Sequence, residues 1–281
     1  MDLDIDTVRI ARTRADCVLR PGEAFLGGGT SLYSEPVPAG VTGLVDLTGL
    51  GWEPWSVDGS GLRVSATCTL AELEVGPGSL GGAGTLRGPA SAGPYRALGI
   101  VRECVGALSL SAKVARVATV GGNLALALPA GSMIGLFAAL DARAVVWTPD
   151  GGSREVAVAD LVTGAGVVAL APGEVLREVR VPGPVLGQRT VFRRASLTPT
   201  GRTAAMVTGR ESKRGPRIVV TGSVSAPHAL YAHDHDMLDR WLDWVGSDVG
   251  WYEDTHGSVA WRAAMTRRLA HEALEELGGA A

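Results

Sequence analysis

Apolar residues in this chain come mostly in short runs broken by glycine and proline. Gly43-Leu44-Val45-Asp46-Leu47 is a compact apolar run that predicts a buried strand. Leu62-Arg63-Val64-Ser65-Ala66-Thr67 alternates apolar and polar positions and predicts a second strand. Thr69 follows, with Glu72 three residues on. A Thr at that spacing from a Glu is a capping box, so a helix should start near residue 69. It must be short, because Gly76-Pro77-Gly78 interrupts it. Residues 76–94, rich in Gly, Pro, Ser and Ala, read as a surface loop. Leu98, Val101, Val105 and Leu108 then fall at helical spacing and predict a helix over 95–108.

Residues 134–140 are apolar throughout, and 141–147 read as a strand. Asp150-Gly151-Gly152 signals a hairpin turn back into 154–158. Alternation returns over 176–181 and stops at Pro182-Gly183-Pro184, which suggests a domain boundary. Beyond it, 190–194 and 217–224 read as strands, and 237–245 and 259–277 as helices. The expected architecture is α+β, with a larger domain over 1–185 and a smaller one over 186–281.

Composition narrows the function classes. The chain has 281 residues, of which 46% are hydrophobic and 20% charged, as in a folded globular protein. Net charge is −3 with no basic stripe, so a nucleic-acid partner is not expected. No apolar stretch of about 18 residues suggests a membrane span. The first residues, Met1 to Arg14, lack an apolar signal core, which points to the cytoplasm. The three cysteines, Cys17, Cys68 and Cys104, form no CxxC and read as buried thiols, so any iron–sulfur cluster should sit on another chain. His233-Asp234-His235-Asp236 reads as a polar turn, because neighbours at a helix start point in different directions. His256 reads as a cap for the last helix, and the late tryptophans as core or as part of a subunit interface. No Gly-x-Ser-x-Gly elbow and no convincing general base are present, so hydrolase chemistry has no support.

The strongest chemical signal is a pair of glycine turns, Leu26-Gly27-Gly28-Gly29-Thr30-Ser31 and Ala118-Thr119-Val120-Gly121-Gly122-Asn123. Runs of glycine leave backbone N–H groups unshielded, and consecutive amides can form a nest for an anion. The hydroxyls of Thr30, Ser31 and Thr119 add donors. Two such turns could close on the two sides of one diphosphate, with little cationic charge required. Neither run is GxGxxG or GxxxxGK[ST], so a Rossmann site or a P-loop is not supported. Each run alone reads equally well as a tight turn in a glycine-rich chain.

Their order and flanks resemble the FAD-binding subunit of molybdenum hydroxylases, the family of xanthine dehydrogenase and aerobic carbon monoxide dehydrogenase. The family's A-G-G-T-D-L run resembles Leu26 to Leu32, and its L-V-D-L resembles Leu44 to Leu47. Its strand-and-cap L-x-I-G-A-x-T-T-L-A-E-L resembles Leu62 to Leu73. Its V-A-T-I-G-G-N-L-x-x-A-x-P-A-x-D resembles Val117 to Ser132, and its P-G-E-x-L resembles Pro172 to Leu176. Near the end, its D-x-x-G-S-x-x-Y-R resembles Asp254 to Arg262.

The resemblance implies a two-part FAD-binding region of the vanillyl-alcohol-oxidase (PCMH) type, then a smaller α/β C-terminal domain. It implies non-covalent FAD, with Gly27, Gly28, Gly29, Thr30, Ser31 and Leu32 on one side and Ala118, Thr119, Gly121, Gly122 and Asn123 on the other. Ser132, Leu176 and Arg193 join the implied contacts. It further implies electron transfer beside a molybdopterin-containing large subunit and a 2Fe–2S small subunit. Three departures stand out. Ser132 replaces a family Asp, Ser31 stands where Asp is common, and Lys113-Val114-Ala115-Arg116 replaces Q-V-R-N. They motivate two rival readings: a stand-alone flavin-dependent oxidase or dehydrogenase, and a non-catalytic scaffold that has lost flavin.

Overall fold

The computed structural model describes residues 5–34, 36–80 and 93–278. The architecture is α+β and contains three main sheets. The first is a small parallel sheet of β1 (Thr7–Ile10), β2 (Glu23–Leu26) and β3 (Gly43–Asp46), in the order β1-β3-β2. Its central strand is the apolar run read from the sequence, with Leu44 and Val45 buried. The flanking strands are more exposed and so carry a weaker pattern. Arg9 on β1 grips Glu23 on β2 with two hydrogen bonds of 2.8 Å, tying the two edges together.

The second sheet begins with β4 (Trp55–Asp58), β5 (Gly61–Ser65), β6 (Arg143–Trp147) and β7 (Ser153–Ala157). A small hairpin of β8 (Val162–Gly164) and β9 (Val167–Val168) precedes the long β10 (Val175–Pro182). The order β4-β5-β10-β6-β7 places β10 at the centre, antiparallel to β5 and β6. A bulge lies between Leu176 and Glu178. The main core forms between this sheet and its helices, from Leu62 and Val64 through Leu73, Leu98, Val101 and Leu124 to Phe137 and Val179.

The third sheet is an antiparallel meander of β11 (Thr190–Ala195), β12 (Ala205–Arg210), β13 (Arg217–Thr221) and β14 (His228–Tyr231). The helices His235–Trp244 and Val259–Gly278 supply Leu238, Leu242, Leu269 and Leu274 to a separate core with Val191, Val207 and Ile218. The helix Ser132–Ala139 contacts both β12 and β13 and also belongs to the main core. Arg262 locks the last helix down. Its guanidinium is buried and donates to the carbonyls of Gly257, Ala204 and Gly222 and to the Asp254 carboxylate.

Several expectations are met. Thr69 and Glu72 form the capping box of the helix Leu70–Val75, Asp150 closes the β6–β7 hairpin, and all three cysteines are buried. The differences have physical causes. Residues 134–139 belong to a helix whose eight residues are all buried, so no polar face marked its period. The helix expected over 95–108 opens with a 3-10 turn, Arg96–Gly99, before Ile100–Ala107. Strand β12 escaped notice because it is buried on both faces while carrying Thr208 and Arg210. Of the expected loop 76–94, Pro77–Leu80 is a helical turn, and 81–92 lie outside the described residues. Ser258 accepts from the Trp261 amide, so it, rather than His256, serves the start of the last helix. No helix among the described residues is long and apolar enough to cross a membrane.

Two outcomes follow. Arg9 holds the Glu23 carboxyl down to about 2, from an ordinary value of 4.5. The pair therefore contributes fully above about pH 4.5. Its contribution is lost as pH falls toward about 2, because the unfolded chain takes up the proton first. Thermal unfolding across that window should show wild type losing more stability than Glu23→Gln. Replacing Arg262 with Leu strands the Asp254 carboxylate and three carbonyls. Denaturant unfolding should show a loss of about 3–5 kcal/mol, read in the C-terminal region.

Candidate functional site

The two glycine segments meet in space. The first leaves β2 at Leu26 and turns through 27–34. Gly29 makes this turn with φ of 68°, a left-handed conformation that a side chain would strain. Gly29 then accepts from the Tyr33 amide at 2.9 Å, and Ser31 from the Ser34 amide at 3.0 Å. Among the described residues, the amides of Gly27, Gly28, Gly29, Thr30, Ser31 and Leu32 have no backbone or side-chain acceptor. Six successive unpaired donors on half-buried backbone are costly unless water or a ligand accepts from them.

The second segment is anchored to the end of β5. Leu70 donates to the Ala118 carbonyl and Val120 to the Cys68 carbonyl, both at 2.9 Å, pairing Thr69 with Thr119. Thr119 then caps the helix Val120–Leu126 by accepting from the Gly122 amide at 3.0 Å. Gly121 and Gly122 are therefore the first turn of a helix. The Gly121 amide is spent on the Ala66 carbonyl at 2.8 Å, and a methyl group there would lie 2.5 Å from the Ala66 side chain. Asn123 donates its amide to Thr119, and its side chain accepts from the Met133 amide at 3.3 Å. The part of this segment that faces the first turn is Val117 and Thr119.

Contact between the two is close. A methyl group on Gly28 would fall on the Val117 carbonyl oxygen, and one on Gly27 would lie 3.0 Å from the Thr119 hydroxyl. Beside this contact opens a cleft of about 440 Å³, within the range usual for small-molecule sites. Leu26, Gly27, Gly28 and Tyr33 line one wall, and Arg116, Val117 and Thr119 another. The remainder comes from Asp46, Thr48, Gly51, Trp52 and Pro54 after β3, and from Thr67, Thr69 and Glu72 after β5. The cleft thus runs between the small parallel sheet and the five-stranded sheet.

The polar groups of the wall are mostly committed. Asp46 accepts from the Thr48 amide and hydroxyl, at 2.8 and 2.7 Å. Glu72 accepts from the Thr69 amide and hydroxyl, both at 2.8 Å. Trp52 meets Trp147 edge to face at 5.3 Å, and the Arg177 guanidinium lies 4.2 Å over the Trp52 ring. Burial pulls the Arg177 pKa below the usual arginine value, with Glu178 opposing. Unpaired amides, a bend with no room for side chains, and aromatic edges fit a ligand that joins a diphosphate to flat rings.

Not every residue named from the sequence reaches this cleft. Gly27, Gly28 and Thr119 line it, and Gly29, Thr30, Ser31 and Leu32 complete the adjoining turn. Ala118 is buried behind it. Ser132 is fully buried and donates its hydroxyl to the Cys104 carbonyl. Leu176 sits in the main core opposite Val146. Arg193 lies on β11, paired with Glu276 and Glu272 of the last helix. Sequence reasoning missed Tyr33, Trp52, Thr67 and Arg116 as wall residues, since nothing local marks which loops converge. Among the described residues, no group of three or more His, Cys, Asp or Glu side chains converges.

Comparison with known proteins gives the family and the fold. Residues 10–184 match the family model described as the FAD binding domain in molybdopterin dehydrogenase. Quinoline 2-oxidoreductase from Pseudomonas putida 86 is similar over 99% of both chains, at 19% identity and a TM-score of 0.79. Reconstituted CO dehydrogenase from Oligotropha carboxidovorans aligns over 99% of this chain and 98% of its own, at 24% identity and a TM-score of 0.78. Carbon monoxide dehydrogenase from Hydrogenophaga pseudoflava, in a form lacking the Mo-pyranopterin moiety, gives 19% identity, 99% coverage of each chain and a TM-score of 0.80. No curated protein matches the chain by sequence.

The contact at Gly28 generates a direct test. Gly28→Ala drives a methyl into the Val117 carbonyl, which backbone must move to avoid. Thermal or denaturant unfolding should show a loss of about 1–3 kcal/mol. Gly59→Ala, at a site with nothing within 4 Å, should change stability little.

Proposed function

The chain belongs to the family of FAD-binding domains of molybdopterin dehydrogenases, and from that membership we propose that it is their electron-transfer flavoprotein subunit, holding FAD in the cleft between its two glycine segments. The observation that carries this is the run of unpaired amides over residues 27–32, beside a cleft shared with Thr119.

In this reading the amides of Gly27, Gly28, Gly29, Thr30, Ser31 and Leu32 cradle the diphosphate bridge, together with the amide and hydroxyl face of Thr119. Neutral N–H groups suit this task, because they orient phosphate oxygens without a buried cation. The close fit of Gly28 on Val117 sets the spacing of the two walls. Gly121, Gly122 and Asn123 act behind the wall, by fixing the helix that presents Thr119. Tyr33 and Trp52 offer ring surfaces for stacking. Ser132, Leu176 and Arg193 contribute through packing and ion pairing. Bound FAD supplies the capacity to take electrons singly and pass on two.

The same proposal covers the assembly. A molybdopterin-containing large subunit would oxidise substrate, and a 2Fe–2S small subunit would deliver electrons here. The chain's own cysteines are buried, and burial pushes the Cys68 thiol up to about 12, so they suit core packing rather than a cluster. We also propose 1–185 as the FAD-binding region and 186–281 as the C-terminal domain, which the separate hydrophobic cores support. The cytoplasmic location expected from the sequence goes with this reading.

The purified chain should take up FAD without a covalent link, released intact by denaturation. Under anaerobic conditions, small organic substrates alone should leave the flavin absorbance unbleached. Adding the molybdenum and iron–sulfur subunits should bleach it. Bleaching by an organic substrate with the isolated chain would favour a stand-alone oxidase. A colourless protein that takes up no FAD would favour the scaffold reading.

A further inference from the structure

Among the residues that line the cleft, Arg116 is the one cation. It ends the short helix Ala112–Ala115 and directly precedes Val117 and Thr119, which face the first glycine turn. Among the described residues its guanidinium makes no hydrogen bond and no ion pair. Neither of the two carboxylates that also line the cleft is paired with it: Asp46 accepts from Thr48 and Glu72 from Thr69. An exposed arginine with free donors, on the rim of a cleft bordered by unpaired amides, presents a forked cationic donor to whatever anion the amides hold. This is also where the sequence departs from the pattern it resembles: Lys113-Val114-Ala115-Arg116 stands in place of Q-V-R-N.

We propose that Arg116 is a phosphate-recognition residue of this cleft, pairing with the diphosphate bridge of FAD. The inference rests on the proposed function and adds a division of labour to it. The neutral amides of 27–32 orient the phosphate oxygens at short range. Arg116 adds attraction that acts at longer range and weakens with salt, since screening lengths are about 8 Å at physiological ionic strength. A guanidinium binds phosphate through two parallel N–H donors, so a Lys at this position keeps the charge and loses part of the fit.

The test uses the full chain, stripped of flavin and titrated with FAD or riboflavin while flavin fluorescence is followed at low and high salt. Arg116→Gln should weaken FAD binding about three- to tenfold at low salt. It should also flatten the salt dependence and leave binding of riboflavin, which lacks phosphate, unchanged. Arg116→Lys should retain most of the salt dependence. An unchanged melting temperature for both variants, expected for an exposed side chain, excludes a folding defect. Equal FAD affinity and equal salt slope in wild type and Arg116→Gln would overturn the proposal while leaving the FAD reading intact. A wild-type chain that takes up no FAD would overturn both.

Discussion

The approach of Gly28 to the Val117 carbonyl is the constraint on which the site depends. The two segments involved are about ninety residues apart and rise from different sheets. One is the exit of β2 from the small parallel sheet. The other is pinned to the end of β5 by the pairing of Thr69 with Thr119. The cleft beside them exists because no side chain separates the two backbones. A residue with a Cβ at Gly28 would have to push these walls apart.

Charge in the cleft is arranged with little spare capacity. The carboxylates of Asp46 and Glu72 are tied to the backbone they cap, and the one charged donor of the lining, the Arg116 guanidinium, stands beside neutral amides and hydroxyls. Neutral donors suit a half-buried anion site, because no desolvated cation has to be stabilised while the site is empty. The aromatic edge at Trp52 is stiffened by Trp147 and by the Arg177 guanidinium lying on it. Fixed walls lower the ordering cost of binding a long, flexible dinucleotide.

The C-terminal sheet is coupled to this region through the helix Ser132–Ala139, which is buried on every side and contacts both β12 and β13. A helix with no solvent-facing side must pack closely, and Gly135 allows it: a methyl there would lie 2.5 Å from the Met206 side chain. On the opposite face Arg262 joins the last helix to the β12 and β13 ends through the carbonyls of Ala204 and Gly222. The motif Asp254 to Arg262, which resembled a family signature, is thus an internal fastening in this fold, with Asp254 as the counter-ion of Arg262.

What the sequence determined by itself is what closes within a few residues. Thr69 with Glu72, Asp150 with Gly152, and the bend at Gly29 are set by hydrogen bonds and backbone freedom inside one turn, so their spacing was readable. The glycine segments and their flanks were equally readable as a family resemblance, and the FAD assignment came from there. What only the tertiary structure decided is which surfaces face one another. Gly121 was read as an open turn; it packs on Ala66 instead, as the first turn of a helix. Ser132 faces Cys104, and Arg193 faces the last helix. Trp52, unremarkable in sequence, and Arg116, marked there only as part of a departure from the family pattern, stand on the cleft wall. Contacts of this kind join segments tens of residues apart. They arise from the joint packing of three sheets, which no local period or propensity encodes.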